Sequence, residues 1–417
     1  MNFGDLMESP PAKAGFKTDF RHYMVSQYSS QYFVGRQQPQ EMPGRNFIEY
    51  IVGIISFIKL AGKSRGQGMN KKFGVTSTGL IAPIIREGDN LAKIVTDTVL
   101  NAIDTIEDKD IIGITESVVA RAQGNYVSVD EIAQNIKKVL GSPDKIFLYN
   151  PIYSRNRFAM ILKAFSRAAK SQIIISMPPV DEVGNVLKNH PFTGLDYDKY
   201  YQEIVEKEGK QCVITQGKIT TDETTKCVHC GLHILQVENG WFQLTDFCKE
   251  KCEYGLLGSN KASEENLKLF PSKNYATELI NTIQQNIKSK TGKTVEVMVY
   301  GDGCFKDPVG GIWEFADPVV SPAYTKALEG TPNELKLKNL ADEKFKNLRG
   351  EDLSNAIKEE IARKSSNLKG NMSSQGTTPR RLTDLLGSLM DLTSGSGDKG
   401  TPIIYVKRYF QNYATEK

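Results

Sequence analysis

Hydrophobic and polar positions alternate along "FGVTSTGLIAPII", from Phe73 to Ile85, the period of two that predicts a strand with one buried face. The period then lengthens. Leu91, Ile94, Val95, Thr98, Val99 and Ala102 recur at helical spacing in "NLAKIVTDTVLNAI", and Asp89, after Gly88, is placed to cap that helix. "DIIGITESVVARAQGNYVSV" reads as a strand, a turn bearing reactive residue types, and a second strand. "VDEIAQNIKKVLG" is a helix closed by Gly141. "KIFLYNP", "SRNRFAMILKAFSRAAK" and "SQIIISMPP" form a strand, helix, strand unit, and alternation of this kind predicts an α/β core.

From Leu187 to Lys273 the pattern breaks, and it resumes with the helix "NYATELINTIQQNIKSKTG" and the strand "VMVYGDG". Beyond Tyr324 the chain turns helical and charged. In "TPRRLTDLLGSLMDL", Thr378 caps a helix with Pro379 at its first position; "TSGSGDKGTP" and a final strand, "IIYVKRYF", follow. The expected organisation is an arm and linker over 1–72, a core in two parts over 73–186 and 274–345, an insertion over 187–273, and a helical extension with a last strand over 346–417. The fold class expected is α/β (α+β), a mixed-sheet core carrying that insertion and extension.

A length of 417 residues fits two to three folded units. With 53 basic and 49 acidic side chains the net charge is +4, too balanced to point to nucleic acid, which is not an expected partner. The longest apolar run, Phe47 to Gly62, contains Glu49 and Lys59 and is shorter than a membrane span of about 20 residues. No membrane partner is expected. The first residues lack the pattern of a secretory signal, which predicts a cytoplasmic protein.

Four of the six cysteines fall in two close pairs, Cys227 with Cys230 and Cys248 with Cys252. Two close pairs separated by a loop are what tetrahedral zinc needs from thiolates, and a closed four-thiolate site is structural. Such a zinc ribbon would staple an insertion lacking a core of its own. The alternative is four free buried thiols. His229 and His233 lie beside the first pair and read as ordinary surface histidines.

"IIREGDNLAKIVTDTV" and "DKDIIGITESVVARAQGNYVSV" together resemble the N-terminal half of the γ-glutamyl ligase of the deazaflavin coenzyme F-420. Thr115 to Gly124 occupy the family's Thr-Ser-Lys-Val-Val-Ser-like turn. "VMVYGDG" is similar to its Asp-bearing strand end, and "NLADE" to a downstream Asp-Glu helix. The resemblance covers Phe73 to Ser176 and Val295 to Glu343. It implies a glutamyl-ligase-like mixed-sheet core and a dimeric ligase that uses GTP, or ATP, with Mg or Mn. Such an enzyme activates a carboxylate as an acyl phosphate, which the amine of an amino acid such as L-glutamate then attacks. The implied partners are therefore a nucleotide, an amino acid and a small carboxylate substrate.

Under that resemblance Thr115, Ser117 and Arg121 contact phosphate or substrate, because hydroxyls and a guanidinium suit phosphate oxygens. Asp302 and Asp196 become metal ligands, since carboxylates hold Mg or Mn. Gly301 and Gly303 let backbone approach phosphate, with Lys306 nearby. Asp307 and Asp317 precede prolines and read as turn formers; Asp342 and Glu343 read as a charged helix face. "TSGSGDKGTP" lacks the Walker spacing and reads as a flexible connector. The sequence departs from the family at Glu116 and Gln123, and in "DGCFKDPVGG", where Lys306 is the sole basic residue. A ligase for another acceptor, such as a folate, and a non-catalytic zinc module are the alternatives.

Overall fold

Five strands make the sheet on which the rest is assembled. In the computed structural model, which describes residues 74–149, 155–177, 188–190, 193–216, 233–236, 240–302, 305–306, 312–313, 319–368, 381–395 and 397–415, that sheet consists of β1 (Thr76–Leu80), β2 (Ile111–Thr115), β11 (Glu296–Asp302), β14 (Val319–Tyr324) and β15 (Ile403–Lys407). Its order is β1-β15-β2-β11-β14. β2 and β11 are parallel, and every other neighbouring pair is antiparallel.

Strand alternation sorts the side chains of this sheet onto two buried faces. Ile112, Ile114, Val297, Val299, Ile403 and Tyr405 point to one face, where α1 (Leu91–Ala102) and α6 (Lys273–Thr291) cover them. Ile111, Met298, Tyr300, Ile404 and Val406 point to the other, against Leu382, Leu386 and Met390 of α8 (Leu382–Ser394). A strand covered on both faces reads as an apolar run, which is why "IIGIT" and "IIYV" lack polar alternation.

A second sheet follows the order β6-β5-β4-β7-β8. β4 (Lys145–Tyr149), α4 (Arg155–Ala168) and β5 (Gln172–Met177) form the expected strand, helix, strand unit, with β4 and β5 parallel. The chain then continues through α5 (Tyr197–Lys207) to β6 (Gln211–Gln216), parallel to β5. β7 (His233–Gln236) and β8 (Gly240–Gln243) add an antiparallel pair beside β4. α3 (Val129–Leu140) packs on the same core through Ile132 and Ile136. It carries a capping box of Ser128 and Glu131 and ends on Gly141 in the left-handed conformation. A third, antiparallel sheet joins β3 (Tyr126–Ser128), β10 (Asn266–Leu269) and β9 (Ser259–Lys261).

Several expectations change here. Residues 187–273 supply strands of the second sheet and place Tyr201, Val205, Leu244, Phe247, Leu256 and Phe270 in its core, so the segment has a hydrophobic core. The zinc-ribbon-like form is not seen among the described residues. The last strand is central: β15 lies between β1 and β2, and the stretch before it carries α7 (Gly350–Ala362) as well as α8. The turn after β2 is α2 (Glu116–Gln123), which ends on Gly124 in the left-handed conformation. Asn90, not Asp89, caps α1, accepting from the Lys93 amide; Asp89 accepts from the Arg86 amide in the preceding turn. The arm over 1–72, Thr378 and Pro379 lie outside the described residues. No helix among the described residues is long and apolar enough to cross a membrane.

α8 approaches β2 closely at Gly113. A methyl group there would stand 2.1 Å from Met390 Sδ, in a fully buried layer. Gly113→Ala is therefore expected to lower stability by about 1–3 kcal/mol through overpacking, read as a lower denaturant midpoint; an unchanged midpoint would show that Met390 yields at no cost.

Candidate functional site

β2 and β11 run parallel with Thr115 opposite Tyr300, so their C-terminal ends lie side by side. Crevices at such strand ends are where α/β sheets place ligands. α2 starts there with Glu116, whose side chain is buried. Thr115 Oγ1 donates to Glu116 Oε2 at 2.9 Å, and Asn260 Nδ2 donates to Oε1 at 3.2 Å. The carboxyl group fits because residue 301 is glycine: a methyl on Gly301 would come within 2.6 Å of it. Asp302 follows as the last residue of β11, paired with Val319.

Beside this edge lies a cavity of about 380 Å³. One wall is the end of β2 and the start of α2, with Thr115, Ser117 and Arg121; the opposite wall is the chain between α8 and β15, with Asp391, Ser394, Gly395, Gly397 and Gly400. The three residues expected at a phosphate thus share one cavity. The segment read as a flexible connector is pinned into the wall. Thr115 N donates to Pro402 O at 3.0 Å, Ala82 N to Gly400 O at 3.1 Å, and Thr401 Oγ1 to Ser394 O at 3.0 Å. Gly395 and Gly400 hold positive φ of 62° and 65°, which side chains beyond Cα disfavour. Behind the wall the Tyr300 hydroxyl is buried near Ser394 and Asp391 with no well-formed hydrogen bond; burial pushes its pKa far above the usual phenol range.

Ser117 and Arg121 also form one side of a second cavity of about 540 Å³. Gln123, where the sequence departs from the family, clamps α2 to the start of α6: its amide donates to Ser272 Oγ at 2.7 Å and accepts from Ser272 N at 2.9 Å.

The remaining candidates separate from this site. Asp196 caps α5, accepting from the amides of Asp198 and Lys199 at 3.0 and 3.2 Å, and lines neither cavity. Lys306 stands in β12 (Phe305–Lys306), which pairs with β13 (Ile312–Trp313). Gly303, Cys227 and Cys230 lie outside the described residues, as do Asp307 and Asp317. Cys248 and Cys252 are buried in the core of the second sheet, where burial pushes their thiols up to about 11 and about 12. Among the described residues no group of three His, Cys, Asp or Glu is gathered for a metal.

Sequence reasoning missed Glu116 and the wall from Asp391 to Gly400. An acid directly after an all-apolar strand was the available signal for Glu116. For the wall there was none, because its role depends on where β15 enters the sheet.

A family model described as F420-0:gamma-glutamyl ligase matches residues 79–408. The matched span includes 187–273 and most of 346–417, segments for which the sequence suggested no counterpart. Comparison with curated proteins finds no match.

The contact between positions 116 and 301 yields a test. Gly301→Ala is expected to lower stability by about 1–3 kcal/mol, and adding Glu116→Ala to it should relieve the clash. A double-mutant cycle by thermal unfolding should give a coupling of about 0.5–3 kcal/mol. Simple additivity would mean that the two positions do not press on each other.

Proposed function

The chain belongs to the F420-0:gamma-glutamyl ligase family, and on that premise, with a ligase-type function, we propose that it joins an amino acid to a carboxylate substrate at the expense of a nucleoside triphosphate. One observation carries this reading: Thr115, Ser117 and Arg121 line a single cavity together with Gly395, Gly397 and Gly400, at the edge where the parallel strands β2 and β11 end.

In the proposed reaction the substrate carboxylate attacks the γ-phosphorus of GTP, releasing GDP and leaving an acyl phosphate. The amine then attacks the acyl carbon, loses a proton, and inorganic phosphate departs. This sequence asks the protein for positioning and charge neutralisation. Ser117 supplies a hydroxyl donor, Arg121 a planar cation suited to phosphate oxygens, and the wall from Ser394 to Thr401 backbone amides unscreened by side chains at its glycines.

A divalent cation fits the donor set. Mg is commonly held by one or two carboxylates together with substrate phosphates, so a three-acid cluster is not required. Asp302, the last residue of β11, is the acid that the resemblance offers to hold it, with Glu116, the first residue of α2, buried beside that strand end. When bound, such a cation neutralises charge on the transferring phosphoryl group. Thr115 and Asn260 keep the Glu116 carboxyl in place by donating to its two oxygens.

GTP or ATP, added with Mg or Mn at about 100 times its dissociation constant, is expected to stabilise the protein by about 2.7 kcal/mol. Glu116→Gln, which keeps the shape of the side chain, should lower nucleotide-dependent turnover about 100-fold or more while circular dichroism stays unchanged. Full turnover in this variant would remove Glu116 from the mechanism, and absence of a thermal shift with every nucleotide would falsify the reading as a whole.

A further inference from the structure

The first cavity gathers opposite charges without joining them. Among the described residues of its lining, Arg121 is the one cation and Asp391 the one carboxylate. They stand on facing walls, Arg121 in α2 and Asp391 in α8, and make no ion pair with each other. Opposite charges that served only the fold would close on one another. Held apart in one cavity, they suit a ligand that carries both signs. Ile85 and Val118 add apolar surface to the lining, which strengthens the pull of each charge on its partner.

Asp391 also runs against the local field. A helix C-terminus carries partial negative charge and favours cations, yet the last stretch of α8 holds this acid and no basic residue in its last turn. Lys399 stands beside Gly395, past the helix end and outside the lining, and pairs with no acid among the described residues. The helix is closed by main chain instead. The Asp391 carbonyl accepts from Gly395 N at 3.2 Å and from Ser394 Oγ at 2.8 Å, bonds that do not involve the carboxylate. That carboxylate adds negative charge to an end that is already negative, and a cation bound beside it offsets both.

We infer that the first cavity also receives the amino acid, with Asp391 holding its ammonium group and Arg121 left to the phosphate-bearing reactant. The inference rests on the ligase reading, in which an amine must meet an acyl phosphate. An ammonium group donates to a carboxylate in a charge-assisted hydrogen bond, the stronger kind. With one reactant held from α8 and the other from α2, nitrogen and activated carbon approach from opposite walls. A hydroxy acid of the same shape lacks the charge that Asp391 meets, so this residue sets the preference for an amine.

The standard amino acids are screened against the full chain by thermal shift, with and without GTP and Mg. The one that stabilises most is titrated calorimetrically beside the hydroxy acid bearing a hydroxyl in place of its amine. Wild-type protein is expected to prefer the amino acid about tenfold or more. Asp391→Asn should weaken the amino acid by a similar factor and shrink the preference to about twofold, with circular dichroism unchanged. GTP affinity should not fall in this variant, since it removes a negative charge from a cavity suited to phosphate. Three results overturn the assignment: no stabilisation by any amino acid, a preference that survives in Asp391→Asn, or a parallel loss of hydroxy acid and GTP binding in that variant. If GTP binds in the first of these cases, the ligase reading stands without the amine site. If amino-acid binding depends on Asp391 while no nucleotide binds, the ligase reading fails and the amine site stands.

Discussion

The missing side chain at position 301 is the constraint around which the site is built. Two parallel strands end together, and only the space beside Gly301 lets the carboxyl group of Glu116 lie between them. A carboxyl group there must be hydrogen-bonded, since an unsatisfied buried polar group costs about 1–3 kcal/mol or more if charged. Thr115 provides one donor from the same strand, and Asn260 provides the other from a different sheet. The glycine thus fixes how closely α2 approaches β11, and with it the facing walls of both cavities.

Those walls divide labour by chemistry. The first cavity combines hydroxyls, one guanidinium and a glycine-rich backbone, a mixture suited to phosphate oxygens, which accept many short hydrogen bonds from rigid donors. The second is lined by lysines on strands, flexible point charges that suit a carboxylate or phosphate of less defined position. Ser117 and Arg121 belong to both, so a ligand in one alters the electrostatics of the other without any change in fold.

Local signals in the sequence were legible wherever local physics decided the outcome. The left-handed stop at Gly141 and the unit from Lys145 to Met177 follow from spacing and residue type. Thr115, Ser117 and Arg121 were singled out through the family resemblance, and the structure lines one cavity with all three. What stayed hidden depends on pairing between distant segments. Residues 187–273 look irregular because α5 and β6 are short and partly polar, yet Tyr201 and Val205 find their apolar partners on α4 and its sheet. Asp196 looked like a ligand and is a helix cap, a role that sequence offers equally to any acid before a helix. "TSGSGDKGTP" reads as a connector until α8 and β15 are seen to anchor both its ends in the core.

The central position of β15 also bears on how the protein comes into being. β1 and β2 are made well before the strand that belongs between them; Ser77 and Thr393, bonded at 2.8 Å, are 316 residues apart. A nascent chain can complete the sheet around β4, β5 and β6 while the other still lacks its middle strand, with the inner edges of β1 and β2 open to any passing strand. Contacts this distant in sequence slow folding. The first cavity, walled by the segment just before β15, comes into existence only when that strand inserts, so a chain stalled short of it has an assembled second sheet and lacks that cavity.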